Sequence, residues 1–99
     1  MSFSNPQPLA LAARVLETET LESFRKPPYT LRGWKILDRW ALNSPYDLKK
    51  MEQYDLVSLL NRVLDQQTLE TNVLTDALST SDGMAEHEIL AMREVKTEL

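Results

Sequence analysis

Apolar positions along the chain recur at the three- and four-residue spacing of helices. Nowhere do apolar and polar residues alternate over five or more positions, as a half-buried strand requires. Leu9, Ala12, Ala13, Leu16 and Phe24 fall within a narrow arc at about 100° per residue, which predicts a first amphipathic helix over 9–25. It should stop before Pro27-Pro28, because a residue ahead of proline is pushed out of the helical region and proline donates no backbone hydrogen bond. After a connector from Tyr29 to Arg32, the spacing of Trp34, Ile36, Leu37, Trp40 and Ala41 predicts a second helix over 34–42. Ser44-Pro45-Tyr46-Asp47 reads as the next helix start. Ser44 can cap an orphan N–H, Pro45 suits the first turn, and Asp47 suits the positive end of the dipole.

The third helix, over 45–65, carries Leu48, Met51, Leu56, Leu59, Leu60, Val63 and Leu64 on one broad face. Beyond it Leu74, Ala77 and Leu78 return to the same stripe, but Gln67, Glu70 and Thr71 interrupt it. The pattern therefore predicts either one rod to residue 78 or a kink near 67 with a separate helix over 68–79. Ser79-Thr80-Ser81-Asp82-Gly83 is a polar turn cluster in which Ser81 or Asp82 can cap the next helix. That last helix, over 83–97, gathers Met84, Ala85, Ile89, Met92, Val95 and Leu99 on one face, and a stripe that reaches residue 99 points to a segment docked or shared with a partner. The expected fold is an all-α compact bundle of four or five helices, with 1–8 as a flexible start and 9–99 as a single domain. Trp34, Leu37, Trp40, Leu56, Leu60 and Val63 are its expected core.

Composition narrows the chemistry. At 99 residues, 42% hydrophobic and 26% charged, the chain lies in the range of folding sequences and has room for one module. Two glycines argue against a glycine-rich phosphate loop, and zero cysteines exclude disulfides, thiolate nucleophiles and cysteine-based zinc sites. No run approaches the roughly 18 to 20 apolar residues of a membrane span. No basic region precedes the apolar stretch from Leu9 to Leu16, so a secretory signal is not expected and the cytoplasm is. The one histidine, His87, lies between Glu86 and Glu88 with no serine or acid at a triad offset, and the carboxylates show neither a calcium-loop pattern nor E-x-x-H spacing. The expectation is a non-enzymatic protein without metal or cofactor.

Charge is unevenly spread. Residues 25–50 hold seven bases against Asp38 and Asp47, a local charge of +5, whereas 1–24 sum to −2 and 51–99 to −7 within an overall −4. The basic stretch is interleaved with Tyr29, Trp34, Trp40 and Tyr46, a composition that suits phosphate contact with base stacking. It equally suits an acidic protein partner, or pairing with acids of neighbouring helices while the tryptophans anchor the core. Asn43-Ser44-Pro45 lacks the glycine common in a helix-turn-helix, and Asp47 and Glu52 would face phosphates there. The leading expectation is a protein-interaction or regulatory module that self-associates as a homodimer through Met84, Ile89, Met92, Val95 and Leu99, because so small a domain hides its apolar stripes poorly alone. The alternative is a small nucleic-acid-binding regulator that uses Arg32, Lys35, Arg39, Lys49 and Lys50, the same residues that would meet an acidic partner.

Overall fold

A computed structural model describes residues 7–78 and 83–99. Among these the chain is all-α: a 3-10 turn at Ala12–Arg14, then α1 (Thr18–Phe24), α2 (Leu31–Asn43), α3 (Pro45–Tyr54), α4 (Leu56–Leu78) and α5 (Glu86–Met92). The 23-residue α4 is the spine, against which α2, α3 and α5 each pack, while the 3-10 turn lies on α2 and α1 follows it.

Two apolar clusters share that spine. The larger joins Phe24, Ile36, Leu37, Trp40, Leu48, Leu59 and Val63, all fully buried, and the smaller joins Leu74 and Ala77 of α4 to Ile89 and Leu90 of α5. Between them the inward stripe of α4 is polar, since Gln66, Gln67 and Glu70 are buried at the same helical spacing as Val63 and Leu74. Among the described residues no buried side-chain polar atom lacks a hydrogen-bond partner.

The boundaries depart from the expected ones where a polar side chain acts on a distant main chain. The expected helix over 9–25 is broken near Leu16 and Glu17, because the carboxylate of Glu52 on α3 accepts the Glu17 N–H at 2.7 Å and so supplies the N-terminus of α1 from outside. Upstream, Asp38 accepts the N–H groups of Leu9 and Ala12 at 2.8 and 2.9 Å, which holds Leu9 in a left-handed conformation (φ 70°) that a leucine alone would avoid. The second helix begins at Leu31, inside the expected connector.

The expected third helix is cut at residue 55, not kinked near 67. Asp55 leaves the helical region (φ −158°) and accepts from the Ser58 N–H and hydroxyl at 3.3 and 2.7 Å, which starts α4 as a new helix. Ser44 makes no side-chain cap; only its carbonyl accepts, from Leu48 N–H at 3.0 Å. The last helix is shorter than 83–97. It ends at Met92, and residues 95–99 run on without helical hydrogen bonding. Of the expected core, Leu37, Trp40 and Val63 are fully buried, whereas Trp34, Leu56 and Leu60 sit half-buried against the cluster, and Leu59 takes the central place expected of Leu60. The turn cluster at 79–82 with its candidate caps Ser81 and Asp82, and residues 1–6 of the expected flexible start, lie outside the described residues.

Candidate interaction surface

The basic stretch divides into an inward and an outward set. Arg32 and Arg39, seven apart on α2, reach across to Glu70, whose side chain is fully buried on α4. Arg39 grips both Glu70 carboxylate oxygens, and Gln66 Nε2 donates to Oε2 at 2.6 Å. Arg32 lies 3.9 Å from Glu70 and bonds Glu86 on α5 at 2.8 Å, while Arg39 also lies 3.9 Å from Glu98. The Arg32 hydrogen bond outweighs the opposing burial and, with the charges of Arg32 and Lys35, holds the Glu86 carboxyl below its ordinary range. These two arginines are thus engaged by the acidic half of the chain.

On α3, Lys49 bonds Glu52 at 2.7 Å. Burial works against the charged form of Glu52. Hydrogen bonds from Lys49, Thr20 and the Glu17 N–H, with the Lys49 charge, overcome it and hold the carboxyl below the usual range. The bond to Glu52 in turn raises the Lys49 ammonium above its ordinary value. Among the described residues Lys35 and Lys50 enter no ion pair, and both are exposed. Of the five expected contact residues, Lys35 and Lys50 are therefore exposed outside any ion pair among the described residues, Lys49 is half-buried beside Glu52, and Arg32 and Arg39 turn toward acids of the chain itself.

What the outward set acquires is aromatic. Tyr46 and Tyr54 are 82% and 79% exposed, and with Lys49, Lys50 and Gln53 they line one shallow depression on the outer side of α3. Tyr46, Lys50 and Tyr54 stand at i, i+4 and i+8, so they share one helix face. Leu42 at the end of α2 and Val57 at the start of α4 are also exposed, at 66% and 68%. Sequence reasoning assigns Tyr46 to the basic stretch but misses Tyr54. The available signal is its eight-residue spacing from Tyr46, on a face with no apolar partner in the inward stripe.

The third tyrosine is structural. Burial raises the Tyr29 phenol above its ordinary pKa, its ring meets Phe24 edge-on at 4.8 Å, and its hydroxyl donates to Leu60 O at 2.7 Å. Trp34 Nε1 donates to Phe24 O at 2.6 Å, and Arg62 stacks 5.0 Å over the Trp40 ring, so both indoles are engaged within the chain.

The C-terminal apolar stripe is largely consumed inside the chain. Ile89 is buried in the smaller cluster with Met84 and Val95 packed on it, Leu99 packs against the larger cluster, and Met92 alone of the five is exposed, at 55%. His87 is exposed and lines a cleft with Arg39, Leu90, Val95 and Thr97. Among the described residues no three His, Asp or Glu side chains gather closely enough to hold a metal ion, and no helix is long and apolar enough to cross a membrane. No family model matches the chain, and no curated protein or solved structure matches it.

Proposed function

We propose that this chain is a non-enzymatic protein-interaction module of the cytoplasm that self-associates as a homodimer and presents the outer face of α3 to an acidic protein partner. The observation that carries the reading is the pair Tyr46 and Tyr54, each about four-fifths exposed, bracketing Lys49 and Lys50 on one helix face. Tyrosine brings a large, rigid contact area at low entropic cost and is enriched where interfaces take their binding energy. Leaving two such rings in water serves no packing purpose in a domain that buries Trp40, Phe24 and Leu48 completely. The lysines set the sign of the partner. Lys50 has no ion pair among the described residues, and Lys49, though paired with Glu52, keeps about a third of its side chain exposed. A chain without cysteine suits the reducing cytoplasm.

The test compares two baits in extract from the native cell, the wild-type chain and a Tyr46→Ser/Tyr54→Ser variant. Capture by the wild type of an acidic protein that elutes with salt, and at least tenfold weaker capture by the variant, is the expected result. Equal capture by both baits removes the α3 face from the function. The competing ligand for this face is a single-stranded nucleic acid, favoured by two exposed rings beside two lysines and opposed by the withdrawal of Arg32 and Arg39 into ion pairs. It is recognised by salt dependence: replacing Lys49 and Lys50 by Ala would then flatten the slope of log K against log salt by about 1.4 for a single strand.

A further inference from the structure

Residues 95–99 lie between α2 and α4 as a bound peptide does, and the groove grips their main chain. Gln66 Nε2 donates to Lys96 O at 2.8 Å, Trp40 Nε1 and Arg39 Nε donate to Thr97 O at 2.8 and 3.0 Å, and Arg62 Nη2 donates to Glu98 O at 3.4 Å. Leu99 packs against the larger apolar cluster and Val95 against the smaller, so the segment closes both. The donors are held ready by partners of their own: Gln66 by Glu70 and Arg62, and Arg39 by Glu70. An empty groove would strand the Trp40 indole N–H, which is why it needs an occupant.

The joint that feeds the segment into its own groove is strained. At the end of α5, Glu94 N–H donates to Ala91 O and Val95 N–H to Leu90 O, the pattern that turns a helix end through a left-handed residue. That residue is usually glycine; here it is Glu94, at φ 58°. The missing glycine disfavours the closed joint by about tenfold. A groove filled by another chain's segment satisfies the same donors while leaving this joint free to open.

Resting on the self-association proposed above, we infer that the groove between α2 and α4 takes residues 95–99 of a second copy, so that two chains exchange these segments reciprocally. No new complementarity is required, because every contact is one the segment already makes. Tethering gives the chain's own segment an effective concentration in the millimolar range, and the strained joint reduces that advantage. Each exchanged dimer opens two such joints, so exchange sets in well below millimolar chain concentrations.

The chain has no cysteine, so two can be placed cleanly at a contact between segment and groove. Asn43 Nδ2 meets Glu98 Oε1 at 3.2 Å, and the two residues are exposed and half-buried respectively. Copies carrying Asn43→Cys are mixed with copies carrying Glu98→Cys, incubated across a range of concentrations, and joined with a short bifunctional maleimide. A covalent heterodimer that rises with concentration and exceeds both homodimers is expected. Adding Glu94→Gly to both copies should lower its yield several-fold and adding Glu94→Val should raise it, because the first relaxes the closed joint and the second strains it further. Heterodimer no more abundant than the homodimers, or insensitive to residue 94, overturns exchange and leaves any dimer as a contact between closed copies. The Tyr46→Ser/Tyr54→Ser variant should exchange normally, so failure of the α3 face and failure of exchange are read separately.

Discussion

Replacing Gly33 by alanine ought to stabilise α2 by up to about 1 kcal/mol if helix propensity alone decided, since the residue is interior to a 13-residue helix. The packing decides otherwise. A Cβ built at Gly33 stands 2.3 Å from Gln67 Oε1, and the Gln67 side chain is not free to yield. Its Oε1 accepts from Thr30 N–H at 3.0 Å and its Nε2 donates to Pro28 O at 3.0 Å, so it ties the start of α2 and the preceding turn to α4 from a buried position. Pushing it aside forfeits two hydrogen bonds, each worth about 1 kcal/mol net and more when a buried group is left unpaired, for a loss of about 2 to 4 kcal/mol. Subtracting the propensity gain leaves a net destabilisation of about 1 to 3 kcal/mol, or roughly 4 to 24 °C in Tm for a chain of this size. Thermal and urea unfolding of Gly33→Ala, Gln67→Ala and the double variant measure this directly. In the Gln67→Ala background the same Gly33→Ala change should become neutral or stabilising. A Gly33→Ala protein that melts above the wild type with Gln67 in place would refute the clamp.

Three further outcomes rest on the same geometry. Glu70→Ala should cost about 3 to 5 kcal/mol in urea unfolding, because it leaves the Arg39 guanidinium without its principal counter-charge; a cost below about 1 kcal/mol would contradict the network. Leu59→Ala should cost about 2 to 5 kcal/mol and Leu60→Ala distinctly less, the reverse of the order that the stripe alone suggests. Glu52 has a folded-state pKa below its unfolded one, so its contribution is complete above the ordinary carboxylate value of about 4.3 and is lost as pH falls through the lowered folded value; Glu52→Gln should flatten the acid limb of stability against pH, and an unchanged limb would remove Glu52 as a source of it.

The hydrophobic pattern is enough for the elements whose boundaries are local. Asn43-Ser44-Pro45 separates α2 from α3 where the proline requires, and Pro27-Pro28 stops α1. The stripe of α4 misleads because periodicity equates polar with exposed. Gln67, Glu70 and Thr71 look like an interruption, yet Gln67 and Glu70 with Gln66 form the buried middle of the helix and bind the Lys96 carbonyl, the turn at 28–30 and two arginines, and only Thr71 is exposed. Asp55-x-x-Ser58 is a readable cap, outweighed by apolar residues continuing on both sides of it. The break at Leu16 and Glu17 and the end of α5 are not readable at all, since the first depends on Glu52 thirty-five residues away and the second on donors from α2 and α4. The charge arithmetic locates the acid–base complementarity of Arg32 and Arg39 with the C-terminal half. It does not separate those two from Lys50, which faces outward on a different helix.

Tyrosine reactivity tests the α3 face most directly, because the chain carries its own control. Its three tyrosines comprise Tyr46 and Tyr54 on that face and Tyr29, which is held inside by Leu60 O and Phe24. Limited nitration of the purified protein should modify Tyr46 and Tyr54 readily and Tyr29 slowly. In native extract, with the partner present, the first two should be protected several-fold relative to the purified chain while Tyr29 is unchanged. Equal modification of Tyr46 and Tyr54 in extract and in isolation would contradict a role for this face in binding.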